Sequence, residues 1–257
     1  MALFKAGEAV PGHSFIPREL IVDEPWGEIW RARNAVGGTV LVVGYTTAEG
    51  DSVFEESLPA LRKWKEAAEQ YAPTLLKIIE ISESAIPYLI VEDPEGKTWR
   101  ETVTGLQQPM PLEEQAAMPS AMLDAIMQAE AHGLAPLGMT PDTIIRMART
   151  PSMWRLIPVA PKSMEAVKLL ASGRYFPKEI TVAEKPGDIH SDCYSLAWIW
   201  FEAMRQDFDA PWPESNEAIP FPRLSLILES TLAPKAGFAN DPAILKKSIV
   251  GWISTEL

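Results

Sequence analysis

The pattern of apolar and polar positions changes period near residue 96. From Ser14 to Glu92 the chain is mostly strand. Glu28-Ile-Trp-Arg-Ala32 alternates, and Thr39-Val-Leu-Val-Val43 is a continuous, β-branched apolar run, as in a buried strand. Between them Asn34-Ala-Val-Gly-Gly38 carries hairpin-loop chemistry. Leu58, Leu61, Trp64 and Ala68 then recur at spacings of three and four, which predicts a helix from about Val53 to Gln70, ended by Pro73. Leu75–Ile81 and Tyr88–Val91 are two more predicted strands, separated by Ser82–Ser84 and Pro87.

Beyond Gly96 helical periodicity takes over. Leu112–His132 is long and amphipathic, with Pro119 expected near its first turns or at a break. Ile144–Met147 and Trp154–Ile157 are short apolar strands around a hairpin at Arg149–Ser152. Ser191–Arg205 is apolar on nearly all sides and is predicted to be a buried helix. Leu224–Leu232 and Pro242–Ile253 complete the predicted helices. A strand-rich part followed by a helical part is an α+β chain, with units expected at 1–96 and 97–257.

Composition narrows the class. Of 257 residues 47% are hydrophobic and 23% charged, which excludes disorder and collagen. No uncharged apolar run approaches the ~18 residues of a bilayer-spanning helix. The 23 basic and 35 acidic residues leave a net charge of −12, with −8 accumulated by Gly96. That balance disfavours nucleic acid, which wants a basic face. It fits an acidic surface, or more sharply a docking face for a basic partner. Cys193 is the sole cysteine, so no internal disulfide or thiolate cluster forms. His13, His132 and His190 lack zinc-ligand spacing. Met1–Val10 has no apolar run for export, and a cytoplasmic setting is expected.

Several segments, in order, carry a resemblance. They are Tyr88-Leu-Ile-Val-Glu-Asp-Pro-Glu-Gly-Lys-Thr-Trp99, Ala131-His-Gly-Leu134, Met139-Thr-Pro-Asp-Thr-Ile-Ile145, Trp154-Arg-Leu-Ile157 and Ser191-Asp-Cys-Tyr-Ser-Leu-Ala197. Together they resemble the protein kinase fold, in particular bacterial serine/threonine kinases, over about Phe15 to Trp252. The resemblance implies two lobes: a five-stranded antiparallel sheet with one helix, then a helical lobe.

It also places the kinase chemistry on residues that cannot perform it. The glycine-rich loop falls on Val22-Asp-Glu-Pro-Trp-Gly27, where the three glycine positions are Val22, Glu24 and Gly27. The phosphate-holding lysine of the third strand falls at Val43, and its helix glutamate at Glu55 or Glu56. The catalytic His-Arg-Asp matches Pro136, Leu137 and Gly138, and the metal-binding asparagine matches Thr143. The magnesium-binding Asp-Phe-Gly matches Pro158, Val159 and Ala160. Phosphoryl transfer depends on positioning and charge, and these replacements remove the charge. Asp142 is nearby but reads as a turn or cap residue beside Pro141. Two structural positions persist: Asp192, which the resemblance makes the anchor of the catalytic-loop backbone, and Glu179, which it makes the end of the activation segment. The arginine partner of that glutamate is missing near Gly237-Phe238, with Lys235 as a substitute.

Other chemistry is weaker. Asp188, His190 and Ser195 invite a hydrolase triad, but closeness in sequence supplies neither base–nucleophile geometry nor an oxyanion hole. Cys193 reads as a packed thiol, and Trp198, Trp200 and Phe201 as core. Trp26 and Trp30 are placed to plug the cleft between the lobes. The expectation is a pseudokinase with no catalytic, cofactor or metal site. Its partner would be a protein (a kinase, a substrate or a second copy) and not nucleic acid or membrane. The alternatives are a small-molecule sensor using the old nucleotide cleft, or an unorthodox nucleotide-dependent transferase, for which Glu92, Asp93 and Glu95 lie on the wrong side.

Overall fold

A computed structural model describes residues 3–48, 51–70, 73–108, 110–135, 137–159, 174–177, 188–208, 222–232 and 241–256. The strands are β1 (Ile16–Glu24), β2 (Gly27–Arg33), β3 (Thr39–Tyr45), β4 (Thr47–Ala48), β5 (Asp51–Ser52), β6 (Ile78–Ser82), β7 (Tyr88–Glu92), β8 (Lys97–Thr98), β9 (Ile144–Arg146) and β10 (Trp154–Leu156). The helices are α1 (Val53–Gln70), α2 (Trp99–Thr104), α3 (Leu112–Ala131), α4 (Ile189–Arg205), α5 (Pro222–Leu232) and α6 (Pro242–Glu256). The chain is α+β.

β1, β2, β3, β7 and β6 lie side by side in that order, and every neighbouring pair is antiparallel. The continuous apolar run at Val40–Val43 requires both faces of β3 to be covered, and both are. On one face Leu41, Val43, Leu89 and Val91 join Phe54, Leu61 and Trp64 of α1 in one apolar cluster. On the other, Trp30, Val40, Val42, Tyr88 and Ile90 are covered by Phe4 and Val10 from the segment before β1. Glu28 secures that segment. Its buried carboxylate accepts the Leu3 N–H at 2.9 Å, the Phe4 N–H at 3.4 Å and the Trp30 indole N–H at 2.8 Å.

The first apolar cluster runs on without interruption into α3, β9, β10, α4 and α6. Backbone bonds also join the two parts: Leu76 N–H to Leu156 O at 3.0 Å and Leu156 N–H to Thr74 O at 2.9 Å. Beside them Arg155 pairs with Glu92, and Arg31 reaches both the Asp93 carboxylate at 2.9 Å and Gly96 O at 2.7 Å. Glu95 pairs with Arg149 at 3.5 Å. Glu92 at the end of β7 and Asp93 just after it therefore serve ion pairs that fix the crossover, and Glu95 adds an exposed one.

Some expectations shift. Leu75 makes only an isolated bridge to Leu156, and the strand begins at Ile78. Pro119 lies well inside α3, which continues through it although proline cannot donate to the carbonyl of Gln115. The expected glycine-loop stretch is mostly strand. Val22 pairs with Ile29 and Glu24 with Gly27, so only Pro25 and Trp26 form the turn. Gly27 is required there because a Cβ would stand 2.0 Å from Gly44 O. Among the described residues, no helix is long and apolar enough to cross a membrane.

Candidate functional site

The site begins at α4. Asp188 caps the helix, its carboxylate accepting the N–H groups of His190 and Ser191 at 3.0 and 3.2 Å. One turn in, Asp192 is buried (1% exposed) and accepts the Leu137 N–H at 2.8 Å. Gly138 follows with φ +71°, a left-handed conformation that favours glycine. Thr143 closes the same loop: its buried Oγ1 accepts the Thr140 N–H at 2.8 Å and donates to Thr140 O at 3.1 Å. Ile157 N–H then bonds Thr143 O at 2.8 Å, tying the loop to β10.

This frame carries charge at its rim. Asp142 takes two bonds from Arg100 Nε, at 2.9 and 2.8 Å. It is thus an ion-pair residue bridging the loop to α2, a role its neighbour Pro141 did not announce. Burial raises the Asp142 carboxyl above the usual carboxylate range, despite the opposing Arg100 charge. Glu24 at the end of β1 is raised by burial and by the nearby Asp142 charge, with Arg100 opposing. Behind Arg100, Glu202 of α4 is fully buried and accepts from Arg174 Nε at 2.6 Å and from the Tyr175 hydroxyl at 2.8 Å. Burial pushes the Glu202 carboxyl up to about 7, against the pull of Tyr175 and Arg174. Ser195 Oγ donates to Tyr175 O at 2.6 Å, fixing the 174–177 segment on the same helix.

The remaining expected positions are apolar or structural. Val22 is buried, Val43 is fully buried opposite Ile29 and Leu89, and Pro158 and Val159 are buried. Leu137 and Gly138 present backbone, not side-chain charge, to Asp192 and Thr143. Glu55 and Glu56 are both exposed on the first turn of α1. Pro136, Ala160, Glu179, Lys235, Gly237 and Phe238 lie outside the described residues. Trp26 packs beneath the β1–β2 turn against Tyr45, at 5.8 Å between ring centroids, and Tyr45 packs on Phe54 at 5.3 Å. Trp30 points to the opposite face and plugs nothing. The single Ser195 hydroxyl proton is shared between Tyr175 O and Ser191 O, the latter at 2.8 Å, and Asp188 is spent on its cap, so these two residues serve structural duties. Cys193 is buried, which pushes its thiol up and keeps it protonated. Among the described residues, no three His, Cys, Asp or Glu side chains are grouped to hold a metal ion.

Sequence reasoning missed Glu202 and Arg100. Glu202 lies in the apolar run of α4, and a buried carboxylate there demands partners, but the sequence does not say which. α2, which carries Arg100, was missed with it; the available signal was its capping box, Thr98 with Glu101 three residues on. No protein-family profile matches this chain, and no curated protein sequence does.

Proposed function

We propose that the chain is a catalytically inactive protein kinase-like module, a pseudokinase that works in the cytoplasm by binding another protein. Support for the fold comes from the strand order with α1 inserted between β3 and β6, and from the Asp192 bond to Leu137 where the resemblance puts an anchoring aspartate. The observation that carries the loss of activity is the side chain at each position of phosphate or metal chemistry. Val43, Pro158 and Val159 are buried apolar residues, and Gly138 stands where the hydroxyl-orienting acid would be. A triphosphate placed beside them would lose its hydration without a compensating charge. Glu24 and the net charge of −12 add repulsion. The same acidity fits a basic protein face as partner and disfavours nucleic acid.

The test is a thermal melt with and without 5 mM MgATP, in the concentration range that saturates ordinary kinases. A ligand at ~100 times its Kd stabilises by about 2.7 kcal/mol. No upward shift is expected, and incubation with γ-labelled ATP should label neither the chain nor an added basic protein. A magnesium-dependent rise in Tm overturns the proposal in favour of a transferase. A rise with adenosine that is indifferent to magnesium overturns it in favour of a sensor.

A further inference from the structure

A groove of about 490 Å³ lies away from the Asp192 frame, between the β7–β8 turn, α2 and the start of the β9–β10 hairpin. That volume is within the range of small-molecule sites, roughly 300–1,000 Å³. Its floor is part apolar, with Leu106, Met147, Ala148 and Pro151. Its charged side chains are Glu95, Lys97, Glu101 and Arg146, and what each is already bound to decides what the groove can accept.

Three of the four are committed. Glu95 pairs with Arg149 at 3.5 Å. Glu101 closes the α2 capping box, accepting the Thr98 N–H at 2.7 Å, on the helix end where negative charge is favoured. Arg146 pairs with Glu114 at 3.2 Å, donates to Pro151 O at 2.7 Å and lies over the Trp154 ring. Lys97 alone has no ion-pair or hydrogen-bond partner among the described residues. It is exposed beside the groove on the two-residue strand β8, whose partner β9 holds its backbone.

We infer that this groove is a binding site for a small organic anion with an apolar body, a carboxylate whose head pairs with Lys97 while its tail lies on Leu106 and Met147. A cationic ligand would meet the Lys97 ammonium, and a fully apolar one would leave that exposed charge to water. The groove adjoins Gly96, whose carbonyl is held by Arg31, so an occupant would touch the clamp that fixes the crossover from β7 to β8. The inference does not depend on the kinase-like reading.

The test uses the full chain, ¹⁵N-labelled, titrated with 4-phenylbutyrate and separately with the neutral 4-phenylbutyramide. The acid should give saturable shifts at the Gly96, Lys97, Gly105 and Ala148 amides, with a Kd three- to fivefold below that of the amide, the discrimination one exposed ion pair gives. Lys97→Met keeps the stem and removes the charge, so acid and amide should then bind alike. Lys247→Met, at an exposed position of α6, should leave the difference intact. Equal binding of acid and amide to the wild type overturns the inference. So does a preference that survives Lys97→Met, or the absence of saturable shifts in the groove.

Discussion

Replacing Asp192 by alanine tests the centre of the structure. The carboxylate is 1% exposed, and its acceptor bond to the Leu137 N–H is 2.8 Å long. Leu137 is itself fully buried, so water cannot take over the donor when the acceptor is deleted. Stranding a buried N–H costs about 1–3 kcal/mol, and acceptor bonds from charged groups lie at the upper end. For a chain of this size each kcal/mol moves Tm by roughly 2–4 °C. Asp192→Ala should therefore lower Tm by about 4–8 °C, read by far-UV circular dichroism or by the urea midpoint. Asp192→Asn separates the bond from the charge, because an amide oxygen still accepts from Leu137. It should recover at least half of the loss. An alanine variant melting within about 1 °C of the wild type would refute the reasoning, since the bond would then contribute nothing to stability.

Glu202 sets a pH dependence. Its folded pKa, about 7, is raised from an ordinary 4.5, so its protonated form favours folding. That stability is fully present below pH ~4.5 and is lost as pH rises through 7, by roughly 3 kcal/mol. Urea midpoints of the wild type relative to Glu202→Gln should fall across that window, and a constant difference would contradict the assignment. Gly27→Ala should destabilise by about 1–3 kcal/mol, because its Cβ would meet Gly44 O at 2.0 Å. Unchanged stability in denaturant would show that the β1–β2 turn has room to move. The MgATP melt and the phenylbutyrate titration complete the set.

Long periodic elements were legible in the sequence. The run at Val40–Val43 and the spacing of Leu58, Leu61 and Trp64 specify burial locally, and the structure places them as a central strand and its covering helix. β1 was not delimited, because register shifts between Pro17 and Glu19 and between Leu20 and Val22 break its alternation. α2 has six residues, too few for a helical period to declare itself. At the site, the resemblance pointed to Asp192 as an anchor of the loop, and the structure gives it the Leu137 N–H. Glu202 could not be read from the sequence, because its meaning comes from Arg174 and Tyr175, which are 28 and 27 residues away in the chain. The two tryptophans near the first turn differ for a simpler reason. Trp26 is in the turn itself, where direction is set by the fold and not by strand alternation, whereas Trp30 shares the phase of Glu28.

The segment before β1 has a consequence for how the chain is made. It is translated before the strands it packs on: its binding surface includes Tyr88, whose hydroxyl donates to Pro11 O across 77 positions, and Glu80, paired with His13 across 67. Until β7 has emerged and joined β3, Phe4 and Val10 have no complete surface to cover, and Trp30, Val40 and Val42 stay open to water. Contacts this distant in sequence close late, after the loop entropy between them has been overcome. During that interval the nascent sheet presents an aromatic, β-branched face of the kind chaperones hold. The segment before β1, translated ahead of the strands it covers, is then among the last to settle, and its docking completes the sheet.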